Sequence, residues 1–116
     1  MYEIIYYKTS KGRVFVHDFI RVLDVRAQAK IRKQILLLSQ EGPLLKRPYA
    51  DYLRNDIYEL RIKQRSNYRI LYFFFLGRYI ILTHGFTKKT RSIPTIELQK
   101  AIQYKSDFEN RFFHDK

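Results

Sequence analysis

Residues 59–91 of the chain read ELRIKQRSNYRILYFFFLGRYIILTHGFTKKTR. No aspartate or glutamate occurs between Glu59 and Glu97. The same stretch contains eight cations: Arg61, Lys63, Arg65, Arg69, Arg78, Lys88, Lys89 and Arg91. A buried core segment does not need such charge, and a disordered basic tail would lack the aromatic and β-branched runs that separate these cations. The stretch therefore predicts a β-sheet with one face that binds a polyanion.

The composition of the chain favours a nucleic-acid-binding domain. We predict a single domain over residues 1–116, with a hydrophobic content of 46% that excludes a disordered chain. The net charge of +12 is typical of proteins that bind nucleic acid, whereas an anionic membrane would favour a basic amphipathic helix. The absence of cysteine excludes disulfides and thiolate metal sites. Because the sequence shows no signal peptide or membrane-spanning run, we expect a cytoplasmic protein without a membrane partner.

The N-terminal part of the chain predicts one strand and two helices. Residues 2–8 are mostly β-branched and aromatic, which indicates a strand. Apolar spacing over residues 14–23 predicts a first helix, and Asp24 is a suitable N-cap for a second helix that ends at Gly42-Pro43. The buried stripe of this second helix would be Ala27, Ile31, Ile35 and Leu38. Neither helix can bury its stripe alone, so the helical hairpin must pack on the sheet.

The C-terminal part predicts most of the sheet and a last helix. Residues 44–55 contain Pro48 and are expected to form an irregular connection. Three strands are predicted at residues 57–64, 68–76 and 79–86. A final helix would begin near Pro94. Its apolar side would consist of Leu98, Ala101, Ile102, Phe108 and Phe112. The predicted fold is α+β: an antiparallel sheet with an N-terminal helical hairpin on one face and a C-terminal helix on the other.

Hairpin geometry predicts which side chains share a face of the sheet. A three-residue loop at residues 65–67 would place Lys63 opposite Arg69. A two-residue loop at Gly77-Arg78 would place Leu71 opposite His84 and Arg69 opposite Phe86. The predicted cluster at one end of this face consists of Arg61, Lys63, Arg69, His84 and Lys88. At the other end would lie Phe73, Phe75, Ile80 and Leu82, covered by the last helix, from which Tyr104 can reach the site.

This predicted cluster suits metal-free cleavage of RNA. Glu59 is the one carboxylate predicted on this face and the three histidines are scattered, so we expect no metal site and no cofactor. The RNA 2′-hydroxyl can attack the adjacent phosphate if the protein supplies a base, an acid and cations. Arg61 and Arg69 are candidates to hold the phosphate, since a guanidinium matches its oxygens. Crowding by cations would lower the pKa of Lys88, and histidine already titrates near neutrality, so either Lys88 or His84 could transfer protons.

Each candidate residue also has a purely structural interpretation. Arg61 and Arg69 could be solvated strand residues, and His84 could be a hydrogen-bonded core residue. Tyr104 suits helix packing or base stacking better than proton transfer. The remaining cations are expected to contact the RNA backbone: Lys63, Arg65, Lys89 and Arg91.

Several motifs, taken in order, resemble a known toxin family. These are Tyr58-Glu59-Leu60-Arg61, then Tyr68-Arg69-Ile70-Leu71-Tyr72, then His84-Gly85-Phe86-Thr87-Lys88-Lys89-Thr90, followed by Pro94 and Ala101. The N-terminal segment Val16-His17-Asp18-Phe19-Ile20 agrees as well. The ordered set, which covers nearly the whole chain, resembles the HigB-like branch of the RelE/ParE toxin superfamily.

This resemblance implies a RelE-like fold and a toxin of a type II toxin–antitoxin pair. RelE-like and HigB-like members cleave mRNA, generally in the ribosomal A site and without metal, and so inhibit translation. A helix-turn-helix antitoxin commonly neutralises the HigB-like members. Carried over by position, Arg69 is the best-matched catalytic residue, followed by Arg61 and by Lys88 or Lys89. Two alternatives remain open: a ParE-like inhibitor of gyrase that does not cleave RNA, and a plain nucleic-acid-binding module.

Overall fold

The computed structural model describes residues 1–114 and confirms the predicted α+β class; the last two residues of the predicted domain, 115–116, lie outside the described part. In chain order the elements are β1 (Glu3–Tyr6), α1 (Phe15–Arg21), α2 (Val25–Glu41), a 3₁₀ turn (Gly42–Leu44), β2 (Ala50–Arg54), β3 (Ile57–Lys63), β4 (Asn67–Phe75), β5 (Tyr79–Lys88) and α3 (Thr95–His114). The strands form one sheet in the order β1-β5-β4-β3-β2. This arrangement is consistent with a RelE-like fold.

The helical pair α1–α2 covers one face of the sheet, as predicted. The Asp24 side chain caps α2 by accepting a hydrogen bond of 2.8 Å from the Ala27 amide. All four residues of the predicted α2 stripe are buried against Leu60, Ile62 and Ile70 of the sheet. Gly42 ends α2 at a φ of +54°, and a Cβ at this position would overlap the ring of Tyr2.

The single helix α3 covers part of the opposite face. Leu98 and Ala101 of α3 are buried in a cluster that includes Leu71 and Phe73 of β4. Phe108 adds an edge-to-face contact with Phe73 at a centroid distance of 5.8 Å. The predicted apolar side of the last helix is therefore the side that packs on the sheet.

Two features of the sheet differ from the prediction. Residues 50–54 form the edge strand β2 rather than part of an irregular connection, with Ala50 buried in the core and Tyr52 packed against Tyr58. Pro48 is compatible with this strand because it lies before the first ladder residue. In addition, β1 pairs with β5 in parallel, so the sheet is mixed rather than fully antiparallel.

The β3–β4 register differs from the predicted one by two residues. Arg61 pairs with Arg69, and Lys63 pairs with Asn67 instead of Arg69. A slip of two residues preserves the side-chain faces, because the alternation period of a strand is two. The prediction that Arg61 and Arg69 share a face is therefore confirmed, although its register was wrong.

A bulge at Thr83 changes the second hairpin. The predicted pairs of Leu71 with His84 and Arg69 with Phe86 are present, but beyond the bulge Phe73 pairs with Ile81. The extra residue reverses the faces of the first half of β5. Ile81 therefore joins the α3 side, and Ile80 and Leu82 belong to the core under the helical pair. The expectation that Ile80 and Leu82 lie on the α3 side was wrong.

Candidate functional site

Two arginines and one glutamate form the centre of the cationic face. Arg61 and Arg69 are cross-strand neighbours on β3 and β4, and Glu59 is two residues before Arg61 on the same face. Arg69 Nε donates to Glu59 Oε1 at 3.1 Å, and Arg61 Nε lies 3.9 Å from Glu59 Oε2. The Glu59 carboxylate lies between two guanidinium groups that would otherwise repel each other, and it holds them together.

The two arginines differ in their exposure. Arg69 is only 5% exposed, and its Nη1 group also donates to the carbonyl of Tyr68 at 3.0 Å. Burial lowers the pKa of Arg69, as does Arg61, while Glu59 acts in the opposite direction. The Arg61 side chain keeps 31% of its surface exposed. In this conformation Arg61 is open to a ligand, whereas Arg69 is a buried, paired charge.

Lys88 extends this cluster on β5. It is partly buried and pairs with Asn67 beside the arginines. Burial is the main cause that lowers its pKa, followed by the positive charges of Arg69 and Arg61, with Glu59 opposing. The direction agrees with the sequence-based expectation, although burial contributes more than the crowding by cations. Three cations and one carboxylate leave this group with a net positive charge.

The exposed cations lie at the same end of the sheet. Lys63 ends β3 and Arg65 lies in the turn between β3 and β4, while Lys89 and Arg91 follow directly after β5. All four are exposed, and we call them the basic rim. The Lys30 side chain of α2 donates a hydrogen bond to the Lys63 carbonyl, which adds a further positive charge at this end. The basic rim and the arginine cluster thus lie at the same end of the sheet, and this charge could attract a polyanion.

His84 does not join the arginines. Its neighbour on the same face of β5 is Phe86, which stacks against it at a centroid distance of 5.9 Å and separates it from Lys88. His84 is 5% exposed, with Nε2 donating to Glu97 Oε1 at 3.1 Å and Nδ1 lying 3.1 Å from Thr83 Oγ1. Burial lowers the pKa of His84, an effect that Glu97 opposes. The predicted cluster is therefore divided into an arginine group and a histidine group.

Tyr104 lies beside the histidine group, not beside the arginines. Its ring contacts His84 edge-on at 5.5 Å and stacks against Tyr7 at 4.9 Å and Phe15 at 5.0 Å. His84, Glu97 and Tyr104 together line a hollow of about 400 Å³.

Sequence reasoning missed two acidic partners. The sequence placed Glu59 on the cationic face, but its ion pairs with Arg61 and Arg69 were not predicted. No role was predicted for Glu97. A signal was present in the sequence, since these two residues are the acids that border the carboxylate-free stretch. In the structure, Glu59 pairs with Arg61 and Arg69, and Glu97 contacts His84. Each acid therefore contacts residues of the stretch that the two acids border.

Two further properties concern the described part of the chain. Within residues 1–114, no three histidine or carboxylate side chains converge into a possible metal site. No helix in this range is both long and apolar enough to cross a membrane.

The fold and the site together define a class of protein. A five-stranded sheet between a helical pair and a single helix, with a cationic face beside that helix, is consistent with the RelE-like class. A family model described as Phage derived protein Gp49-like (DUF891) matches residues 18–106, and the chain belongs to this family of RelE-like toxins. Toxins of this type act with an antitoxin partner. No curated protein matches the chain.

Proposed function

We propose that the protein is the HigB-like toxin of a type II toxin–antitoxin pair and cleaves mRNA in the ribosomal A site without metal, which inhibits translation. The observation that carries this proposal is the net-positive cluster of Arg61, Arg69 and Lys88 around Glu59, set within a basic rim on a toxin-family fold. A protein of this kind acts in the cytoplasm, and its partners are mRNA, the ribosome and a helix-turn-helix antitoxin.

In the proposed reaction, the RNA 2′-oxygen attacks the adjacent phosphorus and the bond to the 5′-oxygen breaks. Arg61 is the exposed guanidinium of the cluster and binds the phosphate, whose negative charge grows in the transition state. Lys88, whose lowered pKa favours the neutral amine, takes the proton of the attacking 2′-hydroxyl and then, as the ammonium, gives a proton to the departing 5′-oxygen.

Arg69 acts indirectly in this proposal. Its guanidinium is buried and bonded to Glu59, so it holds the carboxylate that in turn orients Arg61. We assign Arg69 and His84 to positioning roles, because neither side chain is presented to solvent. The basic rim of Lys63, Arg65, Lys89 and Arg91 binds the RNA backbone on either side of the cleaved bond.

Mapping of 5′ ends in cellular mRNA tests the proposal. Cells would express the wild-type chain, Arg61→Gln or Lys88→Met. We expect new 5′-hydroxyl ends with the wild type and a decrease of roughly 100-fold in their frequency with each variant, the usual effect of losing one group that stabilises the transition state. Arg78→Gln is the matched control, since Arg78 is an exposed cation in the turn at the other end of the sheet.

Other outcomes would identify the alternatives. Growth arrest without new ends would overturn the nuclease proposal in favour of a non-cleaving inhibitor, such as one that binds gyrase. RNA binding that weakens with salt but causes no growth arrest would indicate a plain nucleic-acid-binding module.

A further inference from the structure

A second site lies in the hollow between α1, β5 and the first turns of α3. Its volume of about 400 Å³ falls within the range of pockets that bind small molecules. Its polar lining comes from Arg13, Asp18, His84, Glu97, Lys100 and Tyr104. The arginine cluster makes no use of this hollow, because Phe86 lies between the two groups on β5.

The charges of the hollow compensate each other. Arg13 Nε lies 3.2 Å from Asp18 Oδ2, and Lys100 Nζ lies 3.6 Å from Glu97 Oε1. A phosphate would therefore meet no net positive charge here, in contrast to the cluster around Arg61. An uncharged planar ring suits the hollow better, since the side chains of Phe15 and Tyr104 supply aromatic surface.

Glu97 presents a free acceptor in this hollow. Its Oε1 atom receives the contacts from His84 and Lys100, whereas Oε2 has no hydrogen-bond partner among residues 1–114. The Glu97 side chain retains 18% of its surface exposed, enough for one oxygen to reach a ligand. The buried His84 fixes the orientation of the carboxylate, so its free oxygen is held in one place.

We propose that this hollow binds a nucleobase of the substrate RNA and that Glu97 selects guanine. Guanine presents two adjacent N–H donors on its Watson–Crick edge; one matches the free Oε2 atom of Glu97 and the other the remaining lone pair of Oε1, since each carboxylate oxygen can accept two hydrogen bonds. Uracil presents one donor between two carbonyl acceptors, and these repel the carboxylate. His84 is then the positioning residue of the base site, and Tyr104 contributes to its aromatic wall.

The position of the hollow suits a single RNA strand that also contacts the arginine cluster. His84 and Lys88 lie on the same face of β5, and a separation of four residues corresponds to about 14 Å along a strand. A bound oligonucleotide can therefore place one base in the hollow while a nearby phosphate contacts Arg61 and Lys88. The inference rests on the proposed RNA substrate, which it narrows to RNA with guanine near the cleaved bond.

Binding of mononucleotides tests the site without requiring cleavage. Calorimetric titration would compare guanosine 3′-monophosphate with uridine 3′-monophosphate. We expect the wild type to bind the guanosine nucleotide roughly tenfold more tightly, as for one matched pair of hydrogen bonds. Glu97→Gln, which keeps the shape of the side chain, should reduce this preference to about twofold or less. Glu109→Gln, on the same helix but paired with Lys105, should retain the preference.

Equal affinity of the wild type for both nucleotides, or a preference that survives in Glu97→Gln, would overturn the inference. Thermal unfolding of Glu97→Gln confirms that the variant is folded. Cleavage mapping separates this inference from the nuclease proposal: a guanosine preference in binding without any cleavage supports the base site and contradicts the nuclease. Cleavage without enrichment of guanosine near the cut would support the nuclease proposal and contradict the base site.

Discussion

At the scale of single residues, the unusual feature is a carboxylate buried among cations. Glu59 and Arg69 are each about 5% exposed, and together with Arg61 they form a compact ion-pair network. Removing one member of a buried pair leaves the other charge uncompensated, which is more harmful than removing both. The network therefore makes the stability of the fold depend on the same residues that orient Arg61.

We expect Arg69→Met to lower the free energy of unfolding by about 3–5 kcal/mol, because Glu59 would keep only its 3.9 Å contact with Arg61. The double variant Glu59→Gln/Arg69→Met should recover most of this loss. Arg61→Met, at a more exposed site, should cost about 1 kcal/mol or less. Urea unfolding measures all three variants. An equal loss for Arg69→Met and Arg61→Met would show that the buried Glu59–Arg69 pair contributes no more to stability than the exposed contact of Arg61.

Glu97 shows why part of the site escapes sequence reasoning. His84 and Glu97 are thirteen positions apart in the chain, with the end of β5, a loop and the start of α3 between them. The types of residue predicted a cationic face, but the contact between His84 and Glu97 depends on how α3 packs against β5. The same limit applies to Arg69, whose burial is set by its neighbours in the folded sheet.

At the scale of elements, a glycine determines how closely α1 approaches β5. A Cβ at Gly85 would overlap the ring of Phe19, so α1 can rest directly on the strand here. Gly85 also lines the hollow beside His84. In the motif His84-Gly85-Phe86, the first residue is a buried polar side chain and the second allows the close contact with α1. The third is an aromatic ring that separates His84 from Lys88.

We expect Gly85→Ala to destabilise the protein by about 1–3 kcal/mol, since the added methyl group overpacks the contact with Phe19. In the double variant Gly85→Ala/Phe19→Leu the loss should be smaller than the sum of the two single losses, because the smaller side chain makes room. Thermal or urea unfolding of the two single variants and the double variant measures this coupling. Additive losses would contradict the proposed steric contact.

Most elements could be predicted from the sequence because their signals were local. The Asp24 cap and the α2 stripe depend on residues within one helix, and both are present in the structure. The bulge at Thr83 could not be predicted, since Ile80, Ile81 and Leu82 are all apolar and suit either face of the sheet. Strand β2 was missed because its five residues, ADYLR, include two charges and follow a proline.

At the scale of the whole molecule, the four exposed cations of the basic rim meet at one end of the sheet. The turn after β3 and the segment after β5 lie together because Asn67 pairs with Lys88. The basic rim and the arginine cluster therefore lie at the same end of the sheet. An anionic strand that binds at this end would neutralise several cations at once and release its counterions.

This distribution predicts how RNA binding depends on salt. For a single strand, the slope of log K against log salt is about −0.7 per phosphate neutralised. We therefore expect Lys89→Gln/Arg91→Gln to reduce the magnitude of the slope by about 1.4, because both residues belong to the rim. The variant Arg54→Gln/Arg78→Gln removes the same net charge from exposed positions at the opposite end of the sheet. Titration of a fluorescent single-stranded RNA at several salt concentrations gives each slope, and equal reductions in the two variants would show that net charge, not its placement on the rim, determines binding.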